Sequence, residues 1–213
     1  MPRVLHIDIE TIPYKDITDE DIVPPKTMSK PETIAKWKEE EGFADTVKKH
    51  SVDLLLCRVL CIGLQLDKEE PIVLWAETEE ELFAKFNQWF EENLITPERH
   101  IVIFSGFNLK GFDYPIIALR MAKYNLSMKG YFGLDINKYT RLFDIMSIIS
   151  GFRSSTFYSQ DAMCKFLNIP LKEGMDGSMV YEYYKAGKFS EIRQYCKEDV
   201  LTVARIYNIF NRG

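Results

Sequence analysis

Asp8 and Glu10 stand two residues apart in Val-Leu-His-Ile-Asp-Ile-Glu-Thr, residues 4–11. Alternation at period two puts Leu5, Ile7 and Ile9 on one face of a strand and His6, Asp8 and Glu10 on the other. A strand this apolar reads as central in a sheet, where ionised carboxylates are costly unless something compensates their charge. A divalent cation is the usual compensator. Two further acidic elements follow. Asn108-Leu-Lys-Gly-Phe-Asp113 lies at the junction of a buried strand and a helix. Tyr195-Cys-Lys-Glu-Asp199 lies inside a helix, and a separation of four places Tyr195 and Asp199 one turn apart on one face.

Each element has an ordinary reading when taken alone. Asp8 and Glu10 could be one lysine-paired acid and one solvent-facing acid at a strand end. Asp113, at or next to a helix start, suits the free N–H groups and positive dipole end there. Asp199 could belong to a helix-surface pair, with Arg193 and Lys197 close in sequence.

The elements that must position these residues follow from the pattern. After the first strand, about 14–50 reads as an insertion, rich in charge and carrying Pro24, Pro25 and Pro31. A capping box of Ser29 with Glu32 predicts a helix there whose apolar residues Ile34, Trp37, Phe43, Ala44 and Val47 form an imperfect stripe. This insertion is either a flap over substrate or a peripheral helix. Residues 58–66 and 72–75 predict an antiparallel hairpin about the turn at Asp67–Pro71. Thr78 and Glu81 predict the start of a helix whose Leu82, Phe83, Phe86, Trp89 and Phe90 make one core-facing surface. A short strand at 101–104 leads through Ser105-Gly-Phe-Asn108 into a helix near Asp113, with Pro115 in its first turn. Later helices are predicted at about 159–167, 178–186 and 190–210, the last capped by Ser190. The expected fold class is α/β, a mixed central sheet with an antiparallel hairpin, flanked by helices.

Length and composition bound the function. The 213 residues, 46% hydrophobic and 13% aromatic, predict a single domain over 1–213 with one substantial core. The net charge of −5 argues against a broad basic nucleic-acid face. It leaves room for a nucleic-acid enzyme whose carboxylates hold metal. Cys57, Cys61, Cys164 and Cys196 form no Cys-x-x-Cys pair and read as reduced thiols. With no signal segment and no apolar run of bilayer length, a cytoplasmic protein without membrane contact is expected.

The three acidic elements together resemble the DnaQ-like exonucleases, the DEDD group of the ribonuclease H-like fold. The resemblance runs over nearly the whole chain, as Asp8-Ile-Glu-Thr, Asn108-x-x-x-Phe112-Asp113 and Tyr195-x-x-x-Asp199. Tyr-x-x-x-Asp marks the tyrosine branch. A histidine branch would need His where this chain has Gln194. The stretch Leu171-Lys-Glu-Gly-Met-Asp-Gly-Ser178 is similar to stand-alone bacterial proteins related to the proofreading exonuclease domain of family B DNA polymerases.

The resemblance implies a 3′-5′ exonuclease that releases nucleoside 5′-monophosphates by a two-metal mechanism. Asp8 would bridge both ions, Glu10 and Asp199 would complete one site, and Asp113 would hold the other. Hard oxygen ligands suit Mg²⁺ or Mn²⁺. Tyr195 would orient the attacking water. Thr11 and Asn108 are candidate hydrogen-bond partners of the terminal nucleotide, and Phe112 or Phe107 could support a base. Thr11 also reads as a strand end and the phenylalanines as core. Asp144 and Asp161 read as helix caps or dipole partners, and His6 as a satisfied sheet histidine. The expected partner is a single-stranded DNA 3′ end, with RNA as the alternative substrate and a non-catalytic nucleic-acid-end binding module as the alternative class.

Overall fold

Strand β1 (Arg3–Pro13) lies at the middle of the sheet. The computed structural model describes residues 2–95, 101–126, 140–151, 157–172 and 174–211. Within it β1 is flanked by β2 (Cys57–Leu66) and β4 (Val102–Gly106), with β3 (Ile72–Trp75) and β5 (Thr140–Asp144) outside them. The order is β3-β2-β1-β4-β5. β1, β2 and β3 pair antiparallel, whereas β1, β4 and β5 run parallel. The hairpin predicted from alternation is present, its turn begun by Asp67 at φ +53°. Strand β5 was not expected; its apolar pair Leu142-Phe143 is too short to signal a strand by itself.

Helices α3 (Glu79–Leu94) and α4 (Asp113–Lys123) supply one core cluster, in which Phe83, Phe86, Phe90, Ile116 and Ile117 join Leu5, Ile7 and Ile9 of β1. Each such burial contributes on the order of 2 kcal/mol. Thr78 caps α3 by accepting from the Glu81 N–H at 3.2 Å, as the sequence predicts. A second cluster joins Ile12 and Cys61 to Val180 of α7 (Val180–Lys185) and to Ile192 and Cys196 of α8 (Phe189–Phe210). A third joins Ile145 of α5 (Ile145–Ile149) and Met163 of α6 (Gln160–Leu167) to Val203 and Ile206 of α8. The period-two split of β1 is thus physical: its apolar face enters the first cluster, and its acidic face turns toward α8.

Two helix starts differ from the sequence pattern. Between β1 and β2 the chain forms α1 (Pro31–Trp37), a π-helical turn (Lys38–Gly42) and α2 (Phe43–Val52). Lys30, not Ser29, holds the N-cap position, without a side-chain bond. Pro31 starts this helix instead, because its fixed φ suits the first turn and its missing N–H would be unpaired there anyway. Trp37 and Val47 of the predicted stripe are buried, but Phe43 is exposed. Likewise α8 begins one residue before Ser190, whose hydroxyl bonds the Glu191 carboxylate at 2.7 Å and caps nothing.

Gly63 and Gly106 allow close approaches that set the geometry of the site. Gly63 pairs with Asp8 across the β1–β2 ladder. A Cβ on it would lie 2.6 Å from Val200 Cγ2 and 2.9 Å from Cys196 Sγ, so its bare backbone lets α8 sit directly on β2. At Gly106 a Cβ would lie 3.1 Å from the Ile7 carbonyl, where β4 turns away from β1.

Candidate active site

β1 and β4 pair only from Arg3–Val102 to His6–Ser105. Beyond that point the parallel strands part, which opens a crevice past the carboxyl end of β4, the usual position of sites in open α/β sheets. Parting leaves the Ile9 N–H without a partner on β4. Asp113, the first residue of α4, takes it at 3.1 Å. The structure therefore gives Asp113 a place beside the N-cap residue Phe112, and its carboxylate reaches across to β1 while also facing the backbone N–H at the start of its own helix.

Asn108 makes that reach possible. It adopts a left-handed conformation at φ +58°, which Asn tolerates better than most residues, and its carbonyl accepts from the N–H groups of Gly111 and Phe112, both at 3.0 Å. The resulting tight turn joins β4 to α4 and aims Asp113 back at the sheet.

From the other side, α8 brings Tyr195 and Asp199. Asp199 is buried, one helical turn beyond Tyr195 on α8. It accepts from Gln160 Nε2 at 2.7 Å and forms an ion pair with Lys172. The Lys172 ammonium lies 4.1 Å from the centre of the Tyr195 ring. Asp8, Glu10, Asp113, Tyr195 and Asp199 line one cavity of about 300 Å³. Among the residues lining it, Lys172 is the one lysine or arginine.

The electrostatics follow from that imbalance. Burial, then the charges of Asp199 and Asp113, push the Asp8 carboxyl well above its usual range. Burial, Asp8 and Asp199 do the same to Glu10. Asp113 is pushed up to about 7 by burial, which outweighs the hydrogen bonds from its own backbone N–H and from the Ile9 N–H. Asp199 is raised by burial and held back by Lys172. Such a cluster fits a hard divalent cation: several buried oxygen donors that repel one another without it. Asp8, Glu10 and Cys196 also offer ligand atoms within 4.8 Å of one another. The Cys196 sulfur lies 3.8 Å from the Asp8 carbonyl and 3.9 Å from its carboxylate, and a hard divalent cation selects the carboxylate oxygens over it.

The remaining residues singled out by sequence divide. Asn108, Phe112 and Phe107 line the cavity. Thr11 does not: it follows Glu10 by one residue, and its hydroxyl donates to the Ser51 carbonyl at 2.6 Å. Asp144 caps α5, accepting from the Ser147 N–H at 3.3 Å, and also accepts from the Lys110 N–H at 3.0 Å. Asp161 sits in the first turn of α6, whose N-cap is Ser159, and lines the cavity. His6 is buried against Tyr207, with ring centroids 5.2 Å apart, and its burial lowers its pKa to about 4. Contrary to the satisfied histidine expected, its Nδ1 has no hydrogen-bond partner among the described residues. Sequence reasoning missed Gln160 and Lys172. The latter falls within the stretch from Leu171 that carries the family resemblance, which was a signal available for it.

A mixed sheet of this order flanked by helices, with acidic residues at the crevice where β1 and β4 part, has the α/β architecture of the ribonuclease H-like fold. The chain belongs to a family of predicted 3′-5′ exonucleases related to the exonuclease domain of PolB, whose model matches residues 52–212. Its fold is similar to the family B DNA polymerase of the hyperthermophilic archaeon Pyrobaculum calidifontis, with a TM-score of 0.60 and 17% identity, covering 96% of this chain and 24% of that one. E. coli exonuclease I in complex with a dA16 oligonucleotide gives a TM-score of 0.48 and 12% identity, covering 94% of this chain and 43% of that one. The chain thus spans less than half the length of either protein. No curated protein matches it. No helix among the described residues is long and apolar enough to cross a membrane.

Proposed function

We propose that the protein is a metal-dependent 3′-5′ exonuclease that removes nucleoside 5′-monophosphates from single-stranded DNA. The observation that carries this is the meeting of Asp8, Glu10, Asp113 and Asp199, from positions up to 191 residues apart, around one cavity beside Tyr195. Strand β1 and helix α8 both supply carboxylates, so residues 1–213 act as one exonuclease domain.

Asp8, Glu10, Asp113 and Asp199 would hold two divalent ions, Mg²⁺ or Mn²⁺. Bound there, such ions supply an activated water for in-line attack on phosphorus and charge stabilisation for the departing 3′ oxygen. Tyr195 orients that water. Burial and the neighbouring charges of Asp199, Glu10 and Asp8 raise its phenol far above the ordinary value, so it stays neutral and acts through its hydrogen bond, not as a base. Lys172 holds Asp199 in place and offers positive charge to the phosphate. Asn108 and Phe112, at the cavity wall, receive the terminal nucleotide. The four cysteines are free thiols, which supports a reducing compartment such as the cytoplasm.

DNA is favoured over RNA by the family's relation to a DNA polymerase exonuclease domain. The test is a time course on a 5′-labelled single-stranded DNA oligomer with Mn²⁺ or Mg²⁺, beside its RNA counterpart. A ladder shortening from the 3′ end, abolished by chelator and reduced on the order of a thousandfold in Asp8→Ala, is expected. Full activity in purified Asp8→Ala would sink the mechanism, and faster degradation of the RNA strand would reverse the substrate assignment.

A further inference from the structure

Two more cavities border the candidate active site, and their charges differ. One, of about 510 Å³, shares Tyr195 with it and is edged by Glu191 and Glu198, with no lysine or arginine in its lining. The other, of about 340 Å³, shares Lys172 and extends to Arg205. Pro170, Leu171 and Leu201 give this second cavity an apolar wall. Its one acid is Glu198, whose carboxylate already accepts from the Gln194 amide at 2.8 Å.

We propose that the cavity between Lys172 and Arg205 is a nucleotide subsite, which holds the nucleotide next to the one in the catalytic cavity. The proposal rests on the exonuclease reading above and adds a second binding position to it. An oligonucleotide carries a phosphate between each pair of nucleosides, and Lys172 is the cation located where the two cavities meet. Arg205 lies about 9 Å along α8 from Asp199, on the helix face of Leu201 and Thr202 that lines the second cavity, so it provides a second positive charge beyond Lys172. Each cavity is near the lower end of the volume that small-ligand sites occupy, about 300 Å³, which suits one nucleotide apiece. A chain of net charge −5 has no general attraction for a polyanion, so local cations beside an apolar wall decide where the strand runs. The acid-edged cavity beyond Tyr195 is disfavoured for the same reason.

The p-nitrophenyl ester of thymidine 5′-monophosphate and a short oligothymidylate separate the two positions, because the ester fills the catalytic cavity alone. In Arg205→Gln, kcat/KM for the oligomer is expected to fall about tenfold relative to that for the ester, through KM. With chelator present, the slope of log Kd against log salt for the oligomer is expected to shrink by about 0.7, one single-strand phosphate contact. Arg205→Lys, which keeps the charge, is expected to recover most of both. Arg205 is exposed, and an unchanged melting temperature is expected for both variants. An equal loss on ester and oligomer, or no loss on the oligomer, overturns the subsite. Wild-type protein inert toward both substrates with Mn²⁺ overturns instead the exonuclease reading on which the subsite rests.

Discussion

Tyr195 meets three parts of the site: Asp199 one helical turn on, the Lys172 ammonium over its ring, and the cavity wall. Its hydroxyl stays protonated throughout the working pH range, so in the proposed mechanism its contribution is direction. Removing the hydroxyl while keeping the ring should leave the packing against Lys172 intact. Tyr195→Phe is therefore expected to lower kcat about a hundredfold while Mn²⁺ binding, followed by calorimetry, is unchanged. A variant as fast as wild type would remove the tyrosine from the chemistry. Sequence spacing was enough to pair Tyr195 with Asp199, since one helical turn fixes that contact. Spacing could not pair Lys172 or Gln160 with Asp199, because they lie 27 and 39 positions away along the chain.

At the level of elements, the site depends on how closely α8 lies on β2. Gly63 sets that distance: any side chain there meets Cys196 and Val200, which directly follow Tyr195 and Asp199 in the chain. Gly63→Ala must push α8 outward or displace β2, and overpacking of this kind costs about 1–3 kcal/mol. We expect a lowered midpoint in urea unfolding together with a loss of exonuclease rate, since the displaced helix carries two of the site residues. Loss of stability with a normal rate would show that the helix position tolerates the shift. The other element with a decisive role is the turn from β4 into α4. The sequence marks it as a strand–helix junction, but the parting of β1 from β4 that frees the Ile9 N–H for Asp113 is a property of sheet pairing, which no local pattern encodes.

For the whole molecule, the acidic cluster links stability, pH and metal. Asp113, whose carboxyl moves from an ordinary 3.8 to about 7, and the similarly raised Asp8 and Glu10 bind protons more tightly folded than unfolded. The sign follows from that. In chelator, their contribution to stability is fully present below about pH 4 and is lost as pH rises, through about 7 for Asp113. Metal-free protein should therefore melt at lower temperature as pH is raised across that window, apart from any general charge effect that Asp8→Asn would share. Millimolar Mn²⁺ should raise the melting temperature more at pH 8 than at pH 5, because protons compete for the same oxygens. Equal Mn²⁺ shifts at the two pH values would argue against the carboxylate cluster as the metal site.

What the sequence determined by itself was the identity of the acids and the order of the elements that carry them. Alternation along β1, helical spacing between Tyr195 and Asp199, and the residue pattern at the start of α3 are local, so side-chain period and backbone hydrogen bonding express them directly. Helix starts at Ser29 and Ser190 failed because competing N-termini were available one or two residues away. Tertiary structure alone decided that Asp113 bonds to β1, that Thr11 turns to Ser51 instead of the cavity, and that Lys172 and Gln160 meet Asp199. These contacts join residues far apart in the chain, and their positions depend on which strands pair, where they part and how near a glycine lets a helix come.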